Sequence, residues 1–107
     1  MPETEPIRSE VWLIDFGLAA KVRPALVLSK PYKDRDRALI AVVPHTTSLR
    51  GSRLEVEVNA RFLRKKGAFL IQGFATVPPA YFIRRLGVLS ESEMNLIEDA
   101  VREWLAL

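Results

Sequence analysis

The chain contains no cysteine, which removes disulfides, thiolate metal ligands and thiol nucleophiles from its chemistry and fits a reducing compartment. It has one histidine, His45, so a zinc site would need carboxylates for nearly all of its ligands. No metal and no cofactor is expected. No apolar run approaches the ~20 residues needed to cross a bilayer, and Met1 to Pro6 offers neither a basic flank nor an apolar signal core. The expectation is a soluble, cytoplasmic protein with no membrane partner. Also missing are a glycine-rich phosphate loop ahead of a helix, a His-Glu-x-x-His pair and a Gly-x-Ser-x-Gly elbow, and with them most large enzyme classes.

What is present points to one globular domain. The 107 residues are 49% hydrophobic and 27% charged, a balance that favours a packed core over disorder. Residues 1–9, polar and bounded by prolines, read as a flexible leader, and 10–107 as the domain. The net charge of +3 is unevenly spread: residues 1–89 carry 15 bases against 8 acids, and the remainder five acids against Arg102 alone. A basic body attracts phosphate polymers by steering and counterion release.

Val11 to Phe16 is aromatic and β-branched and reads as a strand closed by Gly17. A short connection leads to Arg23-Pro24, where proline forces an extended entry into a second strand, Ala25 to Ser29. Lys30 to Arg37 suits a charged turn. Leu39 to Val43 is continuously apolar, as in a strand covered on both faces. From Arg53 to Val58 the pattern alternates strictly, predicting a half-exposed strand with Leu54, Val56 and Val58 inward. Asn59 to Lys66 suits one helical turn tucking Phe62 and Leu63 inward. Ala68 to Ile71 and Ala75 to Val77 are strand material interrupted at Gly73, and Arg84 to Leu89 is a last strand. Ser90-Glu91-Ser92-Glu93 is a capping box opening a helix, with Met94, Ile97, Val101 and Trp104 as its apolar stripe. Five or six short strands and a terminal helix, without βαβ alternation, predict a mainly β fold: a small antiparallel barrel or bent sheet.

Chemistry concentrates in Pro44 to Gly51, where the third strand gives way to His45, three hydroxyls in Thr46, Thr47 and Ser48, and Arg50. With Arg23 and Arg53 these form a set of phosphate binders near strand ends. Such a set suits attack of an RNA 2′-hydroxyl on its own phosphodiester, a reaction that needs a proton carrier, cationic donors for the phosphorane and an acid for the leaving oxygen. Histidine titrates near neutrality, arginine matches two phosphate oxygens, and threonine donates one hydrogen bond. Blander alternatives stand beside this: a surface histidine, hydroxyls bonding their own backbone, Arg23 as a loop cation. The basic runs Arg61 to Lys66 and Arg84-Arg85 read as solvated faces. Trp12 and Trp104 are assigned to core or dimer contact.

Taken in order, Val11-Trp12-Leu13-Ile14-Asp15-Phe16, Arg23-Pro24-Ala25-Leu26-Val27-Leu28-Ser29, Val43-Pro44-His45-Thr46-Thr47-Ser48 and Leu86-Gly87-Val88-Leu89-Ser90 resemble the PemK/MazF toxins of bacterial toxin-antitoxin pairs. The resemblance spans nearly the whole chain after Ser9. It implies an SH3-like barrel that forms a homodimer, cleaves single-stranded RNA at short sequences without metal, and is neutralised by a small antitoxin occupying the RNA groove. It also implies that Arg23 and Thr46 are the residues most tied to cleavage. RNA-contacting residues are then expected among Lys21, Thr47, Ser48, Arg50, Arg53 and Gln72. Two departures stand out. The Gly17 to Val22 loop is shorter than the family's usual groove-lining loop, and Gln72-Gly73 falls where many members have Asp-Gln, so a glutamine, which cannot act as a base, stands at the aspartate position. His45 is therefore the candidate proton carrier. The alternatives are a non-cleaving toxin of the same fold that binds a protein such as gyrase, and a small RNA-binding barrel.

Overall fold

Alternating apolar residues build a single antiparallel sheet with a separate apolar cluster on each face. In the computed structural model, which describes residues 5–17 and 21–107, seven strands precede one helix: β1 (Glu10–Asp15), β2 (Val22–Val27), β3 (Ile40–Thr46), β4 (Glu55–Val56), β5 (Ala68–Leu70), β6 (Ala75–Val77), β7 (Phe82–Val88) and α1 (Glu91–Leu105). The strand order is β4-β5-β3-β2-β1-β7, with β6 also paired to β3. The path ends on β4 and β7 without closing, so the expected barrel or bent sheet takes the bent, open form.

The period of two decides which cluster each residue joins. Val11, Leu26, Val43 and Phe69 share one cluster with Ile71 and the helix residues Met94 and Ile97. Trp12, Ile14, Ala25, Val27, Ile40 and Val42 form the other. Each fully buried Leu, Ile or Phe stabilises the fold by ~1.5–3 kcal/mol, so β1, β2 and β3 carry much of the core.

Several expectations need correction. β3 does not stop at Val43 but runs through Thr46, because His45 and Thr46 find ladder partners in Phe69 and Ala68 of β5. The half-exposed strand around Leu54 shrinks to Glu55–Val56. Its approach is turned away by the Glu55 carboxylate, which accepts hydrogen bonds from the backbone N–H groups of Arg50, Gly51 and Ser52. Leu54 is nevertheless buried, and Val56 and Val58 pack against the helix-side core. Asn59 to Lys66 forms turns and not a helix. The break near Gly73 is a 3-10 turn, Ile71–Gly73, whose three residues offset the β6 register from that of β5 and let both strands pair with one edge of β3.

The helix begins as the capping box predicts, with Glu93 N–H on Ser90 Oγ at 3.2 Å and Ser90 N–H on Glu93 Oε1 at 2.7 Å. Its 15 residues, ~22 Å of helix, outrun the core. Met94, Ile97 and Ala100 are buried, Val101 is half-buried, and Trp104 at the far end of the stripe is 44% exposed. Trp12, by contrast, is core.

Hydrogen bonding reaches back into the sequence read as leader. Ser9 N–H donates to Val27 O, Leu89 N–H donates to Ser9 O, and Arg8 pairs with Glu98. Residues 1–4 of that leader and residues 18–20 of the connection between β1 and β2 lie outside the described residues.

Candidate functional site

The face of the sheet that packs on the helix is not covered along its whole length. Where β1, β2, β3 and β7 run beyond the helix, Leu13, Pro24 and Leu86 form the floor of a groove of about 590 Å³. The register explains the neighbours: Leu13 lies opposite Pro24 on β2 and opposite Arg84 on β7. At one side stand Lys21 and Arg23 from β2 and its approach, with His45, Thr46, Thr47 and Ser48 from β3 and the turn beyond it. The other side is the segment Phe62, Leu63, Arg64 and Lys65.

That segment has no ladder of its own. It is a strap that touches β7 near one end and β3 near the other. At one end the Phe62 ring lies so close over Gly87 that an added Cβ there would meet three of its carbons at 2.2–2.6 Å. At the other, Gly67 presses against β3: its added Cβ would fall 2.1 Å from Thr46 O and 2.8 Å from His45 Cε1.

The groove's electrostatics are one-sided. Lys21, Arg23, Arg64, Lys65 and Arg84 line it, and no carboxylate among the described residues does. Such a lining selects a polyanion. Arg23 is half-buried and makes no ion pair among the described residues, so its guanidinium keeps its donors for a ligand. Thr46 Oγ1 accepts the Ser48 N–H at 3.1 Å, which stiffens the turn and leaves the hydroxyl hydrogen to be donated.

His45 differs from its neighbours. It is 6% exposed and rests edge-to-face on Phe69 with ring centroids 5.2 Å apart. Burial pulls its pKa below the ordinary histidine value, so the neutral imidazole dominates at physiological pH. No side-chain hydrogen bond holds it among the described residues, and it borders the groove beside Thr46.

Three of the residues expected to contact ligand lie elsewhere. Arg50 follows the turn and is fixed through its backbone N–H on Glu55. Arg53 pairs with Glu103 of the helix at 2.5 Å. Gln72 sits exposed in the 3-10 turn between β5 and β6. Conversely, Arg64, Lys65 and Arg84, read from the sequence as solvated, border the groove, while Arg85 turns to the opposite face and pairs with Glu10 at 3.0 Å. Arg84 lies opposite Leu13 and Arg85 opposite Trp12, and Arg84 also borders the cleft on Arg85's side. Phe62 and Leu63 tuck inward as their place in the basic run suggests, but where the strap lies depends on contacts with Gly87 and Thr46 that nothing local signals.

On the opposite face, a second cleft of about 600 Å³ is bordered by Trp12, Tyr32, Phe82 and Arg85. Glu10 is buried in it. Desolvation pushes its pKa up, but hydrogen bonds from Ile7 N–H, the Trp12 indole and Arg85, together with the Arg85 charge, outweigh this and hold the carboxyl below its usual value. Among the described residues no group of three His, Asp or Glu side chains is placed to hold a metal ion.

The model of the PemK-like, MazF-like toxins of type II toxin-antitoxin systems matches residues 7–105, and the chain belongs to that family. Among solved structures it is similar to an endoribonuclease in complex with its cognate antitoxin from a Mycobacterial species, at 25% identity over 96% of this chain and 97% of that one, with a TM-score of 0.81. The Mycobacterium tuberculosis toxin MazF-mt6 matches at 24% identity over 92% and 97% of the two chains, with a TM-score of 0.78. A MazE-MazF structure from Deinococcus radiodurans has 19% identity, 95% and 96% coverage and a TM-score of 0.77.

Proposed function

We propose that this protein is an endoribonuclease toxin that cleaves single-stranded RNA, selectively by sequence and without a metal ion, by attack of a 2′-hydroxyl on the adjacent phosphodiester. The observation that carries the reading is the convergence of Arg23, His45 and Thr46 from two adjacent strands on one carboxylate-free basic groove. Neutral His45 takes the proton from the 2′-hydroxyl, the new O2′–P bond forms, and Arg23 and the Thr46 hydroxyl stabilise the charge on the phosphorane. The P–O5′ bond then breaks, and the imidazolium returns its proton to the leaving oxygen. The products are a 2′,3′-cyclic phosphate and a 5′-hydroxyl end. Lys21, Thr47, Ser48, Arg64, Lys65 and Arg84 hold flanking phosphates and sugars.

Family membership and the antitoxin complexes of the similar structures support a small antitoxin as the protein partner, one that covers the groove and blocks RNA. The working unit is a homodimer acting in the cytoplasm. Incubating the protein with single-stranded RNA in excess EDTA and characterising the ends tests the chemistry. Cyclic phosphate and free 5′-hydroxyl termini are expected; RNA left intact by folded protein would sink the proposal.

A further inference from the structure

Among the described residues, the strap that completes the groove is fastened more by packing than by backbone hydrogen bonds, with Ala60, Phe62 and Leu63 against the helix-side core. It leaves the sheet near Asn59, and one backbone hydrogen bond, Leu63 N–H to Ala60 O at 3.1 Å, tightens its turn. From there it runs between Gly87 on β7 and Thr46 on β3, strands that β1 and β2 separate in the sheet. Phe62 is its only aromatic residue and rests on Gly87, opposite Val11 of β1. Gly87 does not have a left-handed φ, so the backbone does not demand glycine there. The ring does: a methyl group at residue 87 would occupy the space of Cγ, Cδ2 and Cε2. The two residues directly after the next position, Arg64 and Lys65, are the strap's contribution to the basic lining.

From this geometry we infer that Phe62 and Gly87 form a positioning pair for RNA selection: the ring seated on the bare strand fixes the height and tilt of the strap, and thereby the places where Arg64 and Lys65 meet the RNA backbone. The inference rests on the endoribonuclease reading and deepens it. Arg23, His45 and Thr46 belong to β2 and β3, and the strap touches them only at its far end, where Gly67 meets Thr46 and His45, five residues from Phe62. The strap governs which flanking nucleotides fit beside it. Displacing it changes where the enzyme cuts and how tightly it holds RNA, and leaves the bond-breaking groups in place.

The test uses Gly87→Ala, Phe62→Ala and the double variant in the full-length protein. Cut sites are mapped by 5′-hydroxyl ends along a long mRNA, and kcat and KM are measured on a short single-stranded substrate. Each single variant is expected to broaden the set of cut sites and raise KM on the order of tenfold, with kcat changed far less, since a displacement of ~1 Å in a substrate-positioning element costs up to 100-fold. Because both substitutions remove the same contact, the double variant is expected to match the singles and not their product. An unchanged cut-site map with unchanged KM in either variant, or a fully multiplicative double variant, would overturn the inference. Phe62→Ala introduces no clash, so a folding defect confined to Gly87→Ala leaves the question decidable. Should the wild type cut nothing, the endoribonuclease reading fails by itself. The pair is then read by fluorescence anisotropy of a 2′-O-methyl RNA, where the same loss of affinity and the same non-additivity are expected, and wild-type affinity in either single variant overturns it.

Discussion

The two sides of the groove are built by different means. Arg23 and Thr46 each have one ladder partner, Ile14 on β1 and Ala68 on β5, and stand on strands anchored by the buried Leu26 and Val43. Arg64 and Lys65 stand on a strap held by Ala60, Phe62 and Leu63 packed on the helix-side core, by the Phe62 ring on Gly87 and by Gly67 against β3. A rigid side suits groups that must meet a transition state within a fraction of an ångström. An irregular side accepts sequence change, and it is the side to which we assign selectivity.

Breaking the rigid side should have the largest effect. Arg23→Ala is expected to lower the cleavage rate by ~100- to 1,000-fold, as loss of a transition-state donor does, with an unchanged circular dichroism melt. Full activity in that variant would remove the strand side from catalysis. Next comes His45→Gln, expected to lower the rate by at least ~100-fold if the imidazole carries the proton. It also has a pH signature. The folded pKa lies below the unfolded value of 6.5, so the unfolded chain binds the extra proton; the stability His45 contributes is complete above pH 6.5 and is lost as pH falls towards the folded pKa. Denaturant unfolding should therefore show a decline below pH 6.5 in the wild type and a weaker one in His45→Gln.

Gly67→Ala probes the junction of the two sides. Its Cβ meets a backbone carbonyl, which cannot rotate away, so a loss of roughly 1–3 kcal/mol in urea unfolding is expected. Arg64→Ala sharpens the contrast from the strap side: RNA binding weakens across all sequences and the slope of log K against log salt falls by about one, without a comparable change in kcat. The smallest effect belongs to Arg53→Ala. Its exposed pair with Glu103 contributes less than ~1 kcal/mol, and cleavage should change least of the set.

The same division explains what could be read in the sequence. The strands were legible because their apolar residues follow a period of two, and the helix because Ser90 and Glu93 cap it and Met94 and Ile97 repeat on one face. That Arg23, His45 and Thr46 border one groove was legible because each lies at or near a strand end. Arg64 and Lys65 were not, since their facing depends on Phe62 finding Gly87 across 25 positions of chain. Arg53 looked like a phosphate binder until the helix brought Glu103 beside it. The alternation from Leu54 to Val58 gave the correct inward side but not the length of the strand, because Glu55 was needed to gather the amides of the preceding turn.

β1 and β7 lie almost at opposite ends of the chain, yet Val11 pairs with Gly87 and Leu13 with Arg84, and Leu89 N–H closes on Ser9 O. A polypeptide emerging from the ribosome amino end first therefore exposes the outer edge of β1 for most of its synthesis. Until Leu86 and Gly87 have been made, the groove lacks part of its floor and Phe62 has no seat. The complete groove is thus one of the last features to assemble, and a chain interrupted before β7 carries Arg23 and Thr46 without the Leu86 floor beside them.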